Sequence, residues 1–416
     1  MKTRIPRKEV DLPEVKPRND DRIRQVRRYK LITPLFGGGV EPNHADPITV
    51  IRGTEVRGQL RFWWRATRSG EFDGDLEKMR QREEEIWGSA AAKGKPGPSE
   101  VNIYAQCCAE GTLERPFEVV LNRKGNPSIQ PRKASVVPPY AAFSLQPEKE
   151  TAKIGMETEA VRVDVEFTLE IGYPKEVEID IQSALWAWET FGGLGARTRR
   201  GFGTLQLVSI DGQSHLLLRP DQVETELRNK LQHYVVSGKC HPDVPHLSHD
   251  LRMKVITSLN AQTPTPIQVW NRLIQHLQNF RQKRHKRMGL SLWPEANEIR
   301  RRLKREPKWP PQSNSPKLVR KFPRSIFGLP IIFHLPHDRT LPTKSFTVQG
   351  KPDLTSNKTF ERLSSALILK PFPCNNGQAV GIAVVLEAPI IPPYGLEIKE
   401  LSPDKQVAEW RLPKMK

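Results

Sequence analysis

The sequence has little cysteine and no long apolar run, and both shortages narrow the class of protein it can encode. Only four of its 416 residues are cysteine, and none of them forms a CxxC pair. Sparse cysteine argues against a disulfide framework and favours a reducing, cytoplasmic environment. No apolar stretch approaches the roughly 20 residues that span a bilayer. The N-terminal residues are basic but carry no apolar core of a secretory signal.

Acidic residues are also scarce relative to basic ones. The chain has 66 Lys and Arg against 47 Asp and Glu, a formal net charge of +19. This excess predicts a polyanionic partner, and without a membrane segment it favours nucleic acid over a membrane surface. The 37% hydrophobic content is enough for real cores, and the length predicts two domains.

One stretch concentrates glycine and arginine: Phe191-Gly-Gly-Leu-Gly-Ala-Arg-Thr-Arg-Arg-Gly-Phe-Gly203. Glycine permits close backbone approach, and the planar guanidinium fits phosphate oxygens. A predicted helix, 179–191, precedes the stretch and a predicted strand, 204–210, follows it. Because no Gly-Lys-Ser/Thr follows and the helix comes first, mononucleotide and dinucleotide loops are excluded. The alternatives are a surface loop with solvated arginines and an RNA contact through Gly192, Gly193, Gly195, Arg197, Arg199, Arg200 and Gly201.

A second basic stretch, 51–68, predicts an amphipathic helix. Its apolar stripe consists of Val56, Leu60, Trp63, Trp64 and Thr67. The adjacent stripe is basic, and we expect it either to hold phosphates or to cover the domain surface. The two tryptophans are expected in the core rather than against bases, and a glycine at position 58 predicts close backbone packing. The RNA-binding candidates are Arg52, Arg57, Arg61 and Arg65, and Arg68 continues the basic stripe.

The order of predicted elements indicates an α+β protein. Residues 25–212 read as strand, helix, strands, helix, strand, which is the βαββαβ ferredoxin-like (RRM-like) plan. Strict alternation over 161–169 predicts one continuous strand there. We expect a basic arm at 1–24, a helical region at 213–323 with helices at 222–234 and 267–280, and a second ferredoxin-like half at 324–416. Strand candidates in that half are 325–333, 364–369 and 380–386.

Several of these stretches resemble a known family. Residues 32–39 (ITPLFGGG), 51–66 (IRGTEVRGQLRFWWRA) and the glycine-rich loop resemble the RAMP superfamily of CRISPR-associated proteins. More narrowly, they are similar to the first-numbered subunit of the type III-B (Cmr) effector complex. The stretches 322–330 (FPRSIFGLP) and 362–370 (RLSSALILK) resemble the C-terminal motifs of that subunit.

The resemblance implies a fold and a function in antiviral defence. It implies two ferredoxin-like domains at one end of a ribonucleoprotein, in contact with the 3′ region of crRNA or with target RNA. The glycine-rich loop and the first helix would line the RNA path, with other Cmr subunits as partners and no cofactor. Which RNA strand is touched stays open, and so does whether the basic stretch 281–308 binds RNA or protein.

Catalysis and metal binding have weaker candidates. His44 and Asp46 lie in a polar loop and could serve a metal-independent CRISPR endoribonuclease, but no oriented partner is evident, so we expect no enzymatic activity. A purely structural cap is a third interpretation. A histidine-bearing loop matches no zinc module well, and we expect no bound metal there. Its metal-type residues are Cys240, His241, Asp243, His246, His249 and Asp250.

Overall fold

A computed structural model describes eleven stretches of the chain. They are 21–39, 44–90, 97–148, 151–257, 264–284, 293–302, 322–334, 345–353, 361–389, 392–400 and 409–411. Most of the predicted arm at 1–24 and part of the basic stretch 281–308 lie outside these residues.

The helices and strands alternate irregularly along the chain. The helices are α1 (Gly53–Arg68), α2 (Leu76–Trp87), α3 (Glu178–Phe191), α4 (Val223–Tyr234), α5 (Pro266–Arg281) and α6 (Glu295–Arg302). The first strands are β1 (Arg22–Leu31), β2 (Asn102–Ala109), β3 (Thr112–Glu114), β4 (Phe117–Leu121), β5 (Pro127–Pro131), β6 (Val161–Val163), β7 (Glu166–Pro174), β8 (Leu205–Ile210) and β9 (Gln213–Ser214). The later strands are β10 (Arg252–Ile256), β11 (Ile331–His334), β12 (Ser345–Gly350), β13 (Leu367–Pro373), β14 (Ala379–Val385), β15 (Leu396–Glu400) and β16 (Glu409–Arg411).

The N-terminal part is built on a five-stranded sheet in the order β2-β7-β1-β8-β9. All its neighbouring strands are antiparallel. Helix α1 lies between β1 and β2 in the chain, and α3 lies between β7 and β8. The two helices pack against each other, and their apolar faces bury Tyr29, Phe167 and Trp188 in one core. The observed order therefore follows the strand-helix-strand-strand-helix-strand pattern read from 25–212.

The C-terminal part contains two smaller sheets. The first has the order β10-β14-β13, with α5 packed against β13 and β14, and the second has the order β11-β12-β15-β16. Strand β10 belongs to the region 213–323, yet it pairs with β14 from the C-terminal part. The order β10-β14-β13, with α5 after β10, repeats the order β1-β7-β2, with α1 after β1.

Three strand predictions were wrong in extent, and one of them, 364–369, corresponds to β13 at Leu367–Pro373. The expected strand 161–169 is divided into β6 and β7, because Asp164 between them has a left-handed φ of 58°. Aspartate tolerates that conformation better than most residues. The expected strand 325–333 is a strand only from Ile331, because Pro323–Phe327 forms a 3-10 turn and Gly328 has a φ of 107°.

Helices long and apolar enough to cross a bilayer do not occur among the described residues.

Candidate nucleic-acid interface

Helix α1 buries the apolar stripe that the sequence predicts. Val56, Leu60, Trp63, Trp64 and Thr67 are all buried, which confirms the amphipathic reading. The indole Nε1 of Trp64 donates to Asp180 Oδ1 at 2.8 Å, so this ring is fixed inside the core. Both tryptophans therefore serve packing, as expected.

Most of the basic stripe on α1 is paired with carboxylates. Arg61 Nε and Arg65 Nη1 both donate to Oε1 of Glu83 on α2, at 2.7 and 2.5 Å. Arg68 forms ion pairs with Glu71 and Asp180. Just before the helix, Arg52 pairs with Asp46. These carboxylates neutralise part of the positive charge that the sequence predicts to bind phosphate. Arg61 and Arg65 each keep about a third of their side-chain surface exposed.

Arg57 is held differently. Its Nη1 donates to Ser99 Oγ at 2.7 Å and its Nη2 donates to the Val101 carbonyl at 3.0 Å. No carboxylate in the described part of the chain pairs with it. Burial, together with the nearby Arg61 guanidinium, lowers the pKa of Arg57. Arg57 lines two clefts of about 500 and 450 Å³, and Arg61 and Arg80 also line the first.

Gly58 faces outward beside Arg57. The sequence predicted close backbone packing there, and that prediction was wrong within the described residues. A Cβ built on Gly58 meets no atom within 4 Å, and the residue is exposed. A glycine in a helix interior lowers stability by roughly 0.5–1 kcal/mol relative to alanine. Internal packing in the described part of the molecule does not explain its presence.

The glycines of the glycine-rich loop allow other segments of the same protein to pack closely against its backbone. A Cβ added at Gly192 would lie 2.5 Å from Trp63 Nε1, and one at Gly201 would lie 2.7 Å from the Trp270 ring. Gly193 and Gly195 are equally confined, by the carbonyls of Gly203 and Phe36. The side chain of Glu55 on α1 accepts a hydrogen bond from the Gly195 amide, and burial raises the pKa of that carboxyl group. RNA contact by these glycines stays a prediction.

The three loop arginines reach towards the C-terminal part and the segment between β5 and β6. Arg197 Nη1 donates to the Ala141 carbonyl at 3.1 Å, and Arg199 Nη1 donates to the Ser365 carbonyl. Arg200 donates to the carbonyls of Leu367 and Phe327, at 3.0 and 2.9 Å. In return, Trp270 Nε1 donates to the Arg200 carbonyl at 2.7 Å. The loop therefore connects the N-terminal five-stranded sheet to the region of β13, and it is also a basic segment.

These guanidinium groups lack a negative counterpart among the described residues. Their described hydrogen-bond acceptors are carbonyls, and none of the three forms an ion pair there. Burial lowers the pKa of Arg197 and Arg199. It lowers the pKa of Arg200 to about 10, with the nearby Arg281 contributing. Arg197 is exposed and the other two are partly buried, so an anion can reach this partly desolvated cluster of like charges and restore part of the lost solvation.

Arg199 links the loop to α1. Its guanidinium carbon lies 5.6 Å from the centroid of the Phe62 ring, within the range of a cation–π contact. Phe62 lies four residues after Gly58, which places the two on one side of the helix. We define the α1–loop surface as Arg57, Gly58, Arg61, Phe62 and Arg199.

Lys370 on β13 is a buried charged residue that sequence reasoning missed. It is fully buried, and its Nζ donates to the carbonyls of Gly192 at 2.8 Å and Glu189 at 3.3 Å, at the C-terminal end of α3. Burial lowers its pKa to about 7. A lysine within an apolar strand was the available signal, although the sequence does not show what it contacts.

His44 and Asp46 do not form one catalytic pair. His44 Nδ1 lies 3.0 Å from Glu159 Oε2, and both side chains are about half exposed. Asp46 Oδ1 instead accepts the amides of Ile48 and Thr49, at 2.9 and 2.8 Å. These hydrogen bonds lower the pKa of Asp46 and assign the carboxylate to a turn. The carboxylate partner of His44 was not expected from the sequence.

The cysteine and histidine side chains of the segment 240–250 do not converge on one site. His249 bonds to Ser237 Oγ at 2.8 Å and to the Val235 carbonyl at 2.9 Å. Cys240 accepts from Ser69 Oγ at 3.2 Å, and its interaction with His246 raises the pKa of that imidazole. Within the described ranges, no three His, Cys, Asp or Glu side chains form a group that could hold a metal ion.

Comparison with known proteins agrees with these motifs. Residues 28–206 match the family profile of the RAMP superfamily. These residues form a RAMP-superfamily domain. The match spans α1, the N-terminal sheet and the glycine-rich loop, and it confirms the resemblance read from the sequence.

Two curated relatives come from Pyrococcus furiosus. CRISPR system Cmr subunit Cmr1-2 is 28% identical over 194 residues, which are 43% of this chain and 92% of the relative. Cmr subunit Cmr1-1 is 24% identical over 164 residues, which are 39% of this chain and 42% of that relative. The sequence similarity to the second relative therefore spans less than half of its length.

One solved structure shares the fold across most of the chain. It is a chain from the cryo-EM structure of the type III-B Cmr-beta bound to cognate target RNA and AMPPnP in the presence of ssDNA. The TM-score is 0.52 at 13% identity, and the match covers 88% of this chain and 95% of the other. At this identity the likeness shows the mixed α/β fold.

Proposed function

We propose that this protein is a non-catalytic RNA-binding subunit of a type III-B CRISPR (Cmr) ribonucleoprotein. It would contact the 3′ region of crRNA or the target RNA, beside other Cmr subunits. The RAMP domain and the similarity to Cmr1 subunits support this assignment. The Cmr-beta structure that shares the fold contains cognate target RNA, which supports RNA as the partner.

The observation that carries the proposal is the α1–loop surface. Arg57 and Arg199 have no carboxylate partner in the described part of the chain, and Gly58 leaves α1 open between the arginines. A sugar-phosphate backbone can approach an open glycine closely, and guanidinium groups on both sides can bind its phosphates. Contacts of this kind read the backbone and shape of RNA rather than its sequence.

The repeated sheet order supports the architecture expected for such a subunit. We interpret β1-α1-β2-β7-α3-β8 as one ferredoxin-like half. Strands β10, β13 and β14 with α5 have the order of the first three strands of the same plan. In this interpretation the second half begins at β10, and the glycine-rich loop joins the two halves.

RNA binding by the purified full chain tests the proposal. We expect Arg57→Ala/Arg61→Ala to weaken binding of a labelled single-stranded RNA by tenfold or more. The matched control, Arg219→Ala/Arg228→Ala, removes the same charge from exposed ion pairs elsewhere and should bind nearly as wild type does. Equal loss in both variants would mean that only net charge matters and would refute the assigned surface.

A metal-independent endoribonuclease is the second candidate, and the His44–Glu159 pair favours it. A carboxylate that orients an imidazole is an arrangement used in general-base catalysis. We expect the RNA from the binding experiment to stay intact on a denaturing gel. Cleavage by the wild type that is lost in His44→Ala would replace the non-catalytic assignment with the ribonuclease.

A further inference from the structure

A cavity of about 410 Å³ lies on the side of α3 that faces α4. Its walls come from α3, α4, β8, the segment 215–218 and the end of β13. The interior is mainly apolar, with Leu205, Leu207, Leu227 and Phe372 among its lining residues. A volume of this size is within the usual range for small-ligand sites. The α1–loop surface does not include any of these residues.

One wall carries a carboxylate that is fixed in place. Arg27 Nη1 and the Tyr29 hydroxyl both donate to Glu189 Oε1, at 2.8 and 2.6 Å. Oε2 of the same carboxylate accepts no hydrogen bond from the described residues. Glu189 also lines the cavity, so a ligand can reach a carboxylate that is already oriented. Fixed polar groups in an otherwise apolar cavity are typical of binding sites.

A second wall is aromatic, and beside it the lining residues Lys230 and Glu226 form an ion pair at 3.9 Å. Trp186 and Tyr234 stack with centroids 5.3 Å apart and an interplanar angle of 27°. Lys230 Nζ lies 5.4 Å from the Tyr234 ring centroid. His215 also lines the cavity, and burial lowers its pKa, which favours the neutral imidazole. The cavity therefore offers an aromatic wall, a hydrogen-bond acceptor, a neutral imidazole and a cation.

We propose that this cavity binds a guanine base. Guanine presents two adjacent donors, N1–H and N2–H, which Glu189 Oε2 can accept through its two lone pairs. Adenine and cytosine present a ring acceptor beside their amino group, and uracil flanks its single N–H with carbonyls, so each would place an acceptor near the carboxylate. His215 can donate to guanine O6, Trp186 and Tyr234 provide aromatic surface, and Lys230 can bind the attached phosphate.

Two sources could supply the base. A free mononucleotide would make the site independent of the proposed function. A guanine splayed out of a bound RNA strand would rest on that function, since the strand must first be held. In both cases the recognised chemistry is the base with its 5′-phosphate.

Calorimetric titration of the full chain with mononucleotides tests the site. We expect GMP to bind at least tenfold more tightly than AMP, CMP or UMP. Glu189→Gln should abolish this preference, because Arg27 and Tyr29 would hold the carboxamide oxygen and leave its amino group, a donor, facing the cavity. Because Glu189 also contacts Arg27 and Tyr29, Lys230→Ala is a second variant outside that buried cluster. It should weaken GMP binding severalfold and leave guanosine binding unchanged. The control is Lys175→Ala, which removes the same charge from an exposed lysine just before α3, outside the cavity lining.

A second experiment distinguishes guanine binding in the cavity from RNA binding at the α1–loop surface. Oligonucleotides that differ only by one guanine or inosine measure the contribution of the N2 amino group. Selective GMP binding without RNA binding would support the cavity and count against the proposed function. RNA binding that ignores guanine, together with no GMP preference, would overturn the cavity assignment and leave the proposed function standing.

Discussion

Lys370 has an environment that no other described lysine shares. It is fully buried, and its ammonium group donates to the carbonyls that end α3. Carbonyls at a helix C-terminus favour a cation, which partly compensates for burial. The side chain therefore connects β13 of the C-terminal part to the start of the glycine-rich loop.

The pKa of Lys370 predicts a pH-dependent stability. Burial lowers that pKa from 10.5 to about 7, so between these values the unfolded state binds a proton that the native state does not. Stability attributable to this residue then rises as the pH increases from 7 towards 10.5. We expect the urea midpoint of wild type, relative to Lys370→Met, to increase between pH 7 and pH 9.5. A difference that does not change with pH would contradict the lowered pKa.

Substitution of Gly58 should change stability and RNA affinity in opposite directions. Because its added Cβ meets no atom within 4 Å, Gly58→Ala should stabilise the protein by about 0.5–1 kcal/mol through higher helix propensity. The same methyl group should hold an RNA backbone away from α1 and weaken binding severalfold. Chemical denaturation and RNA titration on the same preparation measure both. Higher stability with unchanged affinity would show that RNA does not approach this glycine.

At the scale of elements, the glycine-rich loop packs tightly against its surroundings. Gly192 follows α3, Trp63 of α1 lies against it, and Lys370 donates to its carbonyl. Arg199 and Arg200 then bind carbonyls of the C-terminal part. The loop therefore holds α3 of the N-terminal part and β13 of the C-terminal part together.

Gly192→Ala should destabilise the molecule, in contrast to Gly58→Ala. Its Cβ would lie 2.5 Å from Trp63 Nε1 and 2.6 Å from the Trp188 carbonyl, so packed groups must move. We expect a loss of about 1–3 kcal/mol in the free energy of unfolding, the usual range for overpacking. Thermal or urea unfolding of the two alanine variants side by side provides the comparison. A neutral Gly192→Ala would mean that the loop is not confined as described.

Elements with a clear local pattern could be predicted from the sequence. The apolar stripe of α1 follows from periodicity, and α4 and α5 begin and end within one residue of the predicted helices 222–234 and 267–280. The pairing of β10 with β14 could not be predicted, since partners more than 100 residues apart leave no local period. The break at Asp164 depends on one backbone angle, which hydrophobic alternation does not encode.

The candidate site could be predicted in part. The basic stripe and the loop arginines were found because residue type and spacing identify them. The partners of these arginines could not be predicted. Arg61 and Arg65 pair with Glu83 on another helix, and Arg200 binds a carbonyl of β13, and no local sequence pattern indicates these contacts. For the same reason the carboxylate of Glu189 was not recognised as part of a cavity.

At the scale of the whole molecule, charge and architecture point to the same partner. The chain has a net charge of +19, and the glycine-rich loop that contacts the C-terminal part contains guanidinium groups without carboxylate partners among the described residues. Such a molecule should bind RNA mainly through phosphates, with little preference among base sequences at the α1–loop surface. Binding of this type weakens steeply as salt increases, because bound phosphates release counterions.

The most direct test is the salt dependence of RNA affinity for wild type and for Arg57→Ala/Arg61→Ala. We expect the logarithm of the association constant to fall linearly with the logarithm of the salt concentration. Each phosphate contact to single-stranded RNA contributes about 0.7 to the slope, so losing two contacts should reduce its magnitude by about 1.4. An unchanged slope in the variant, or wild-type binding that does not respond to salt, would contradict the assignment of α1 to the RNA path.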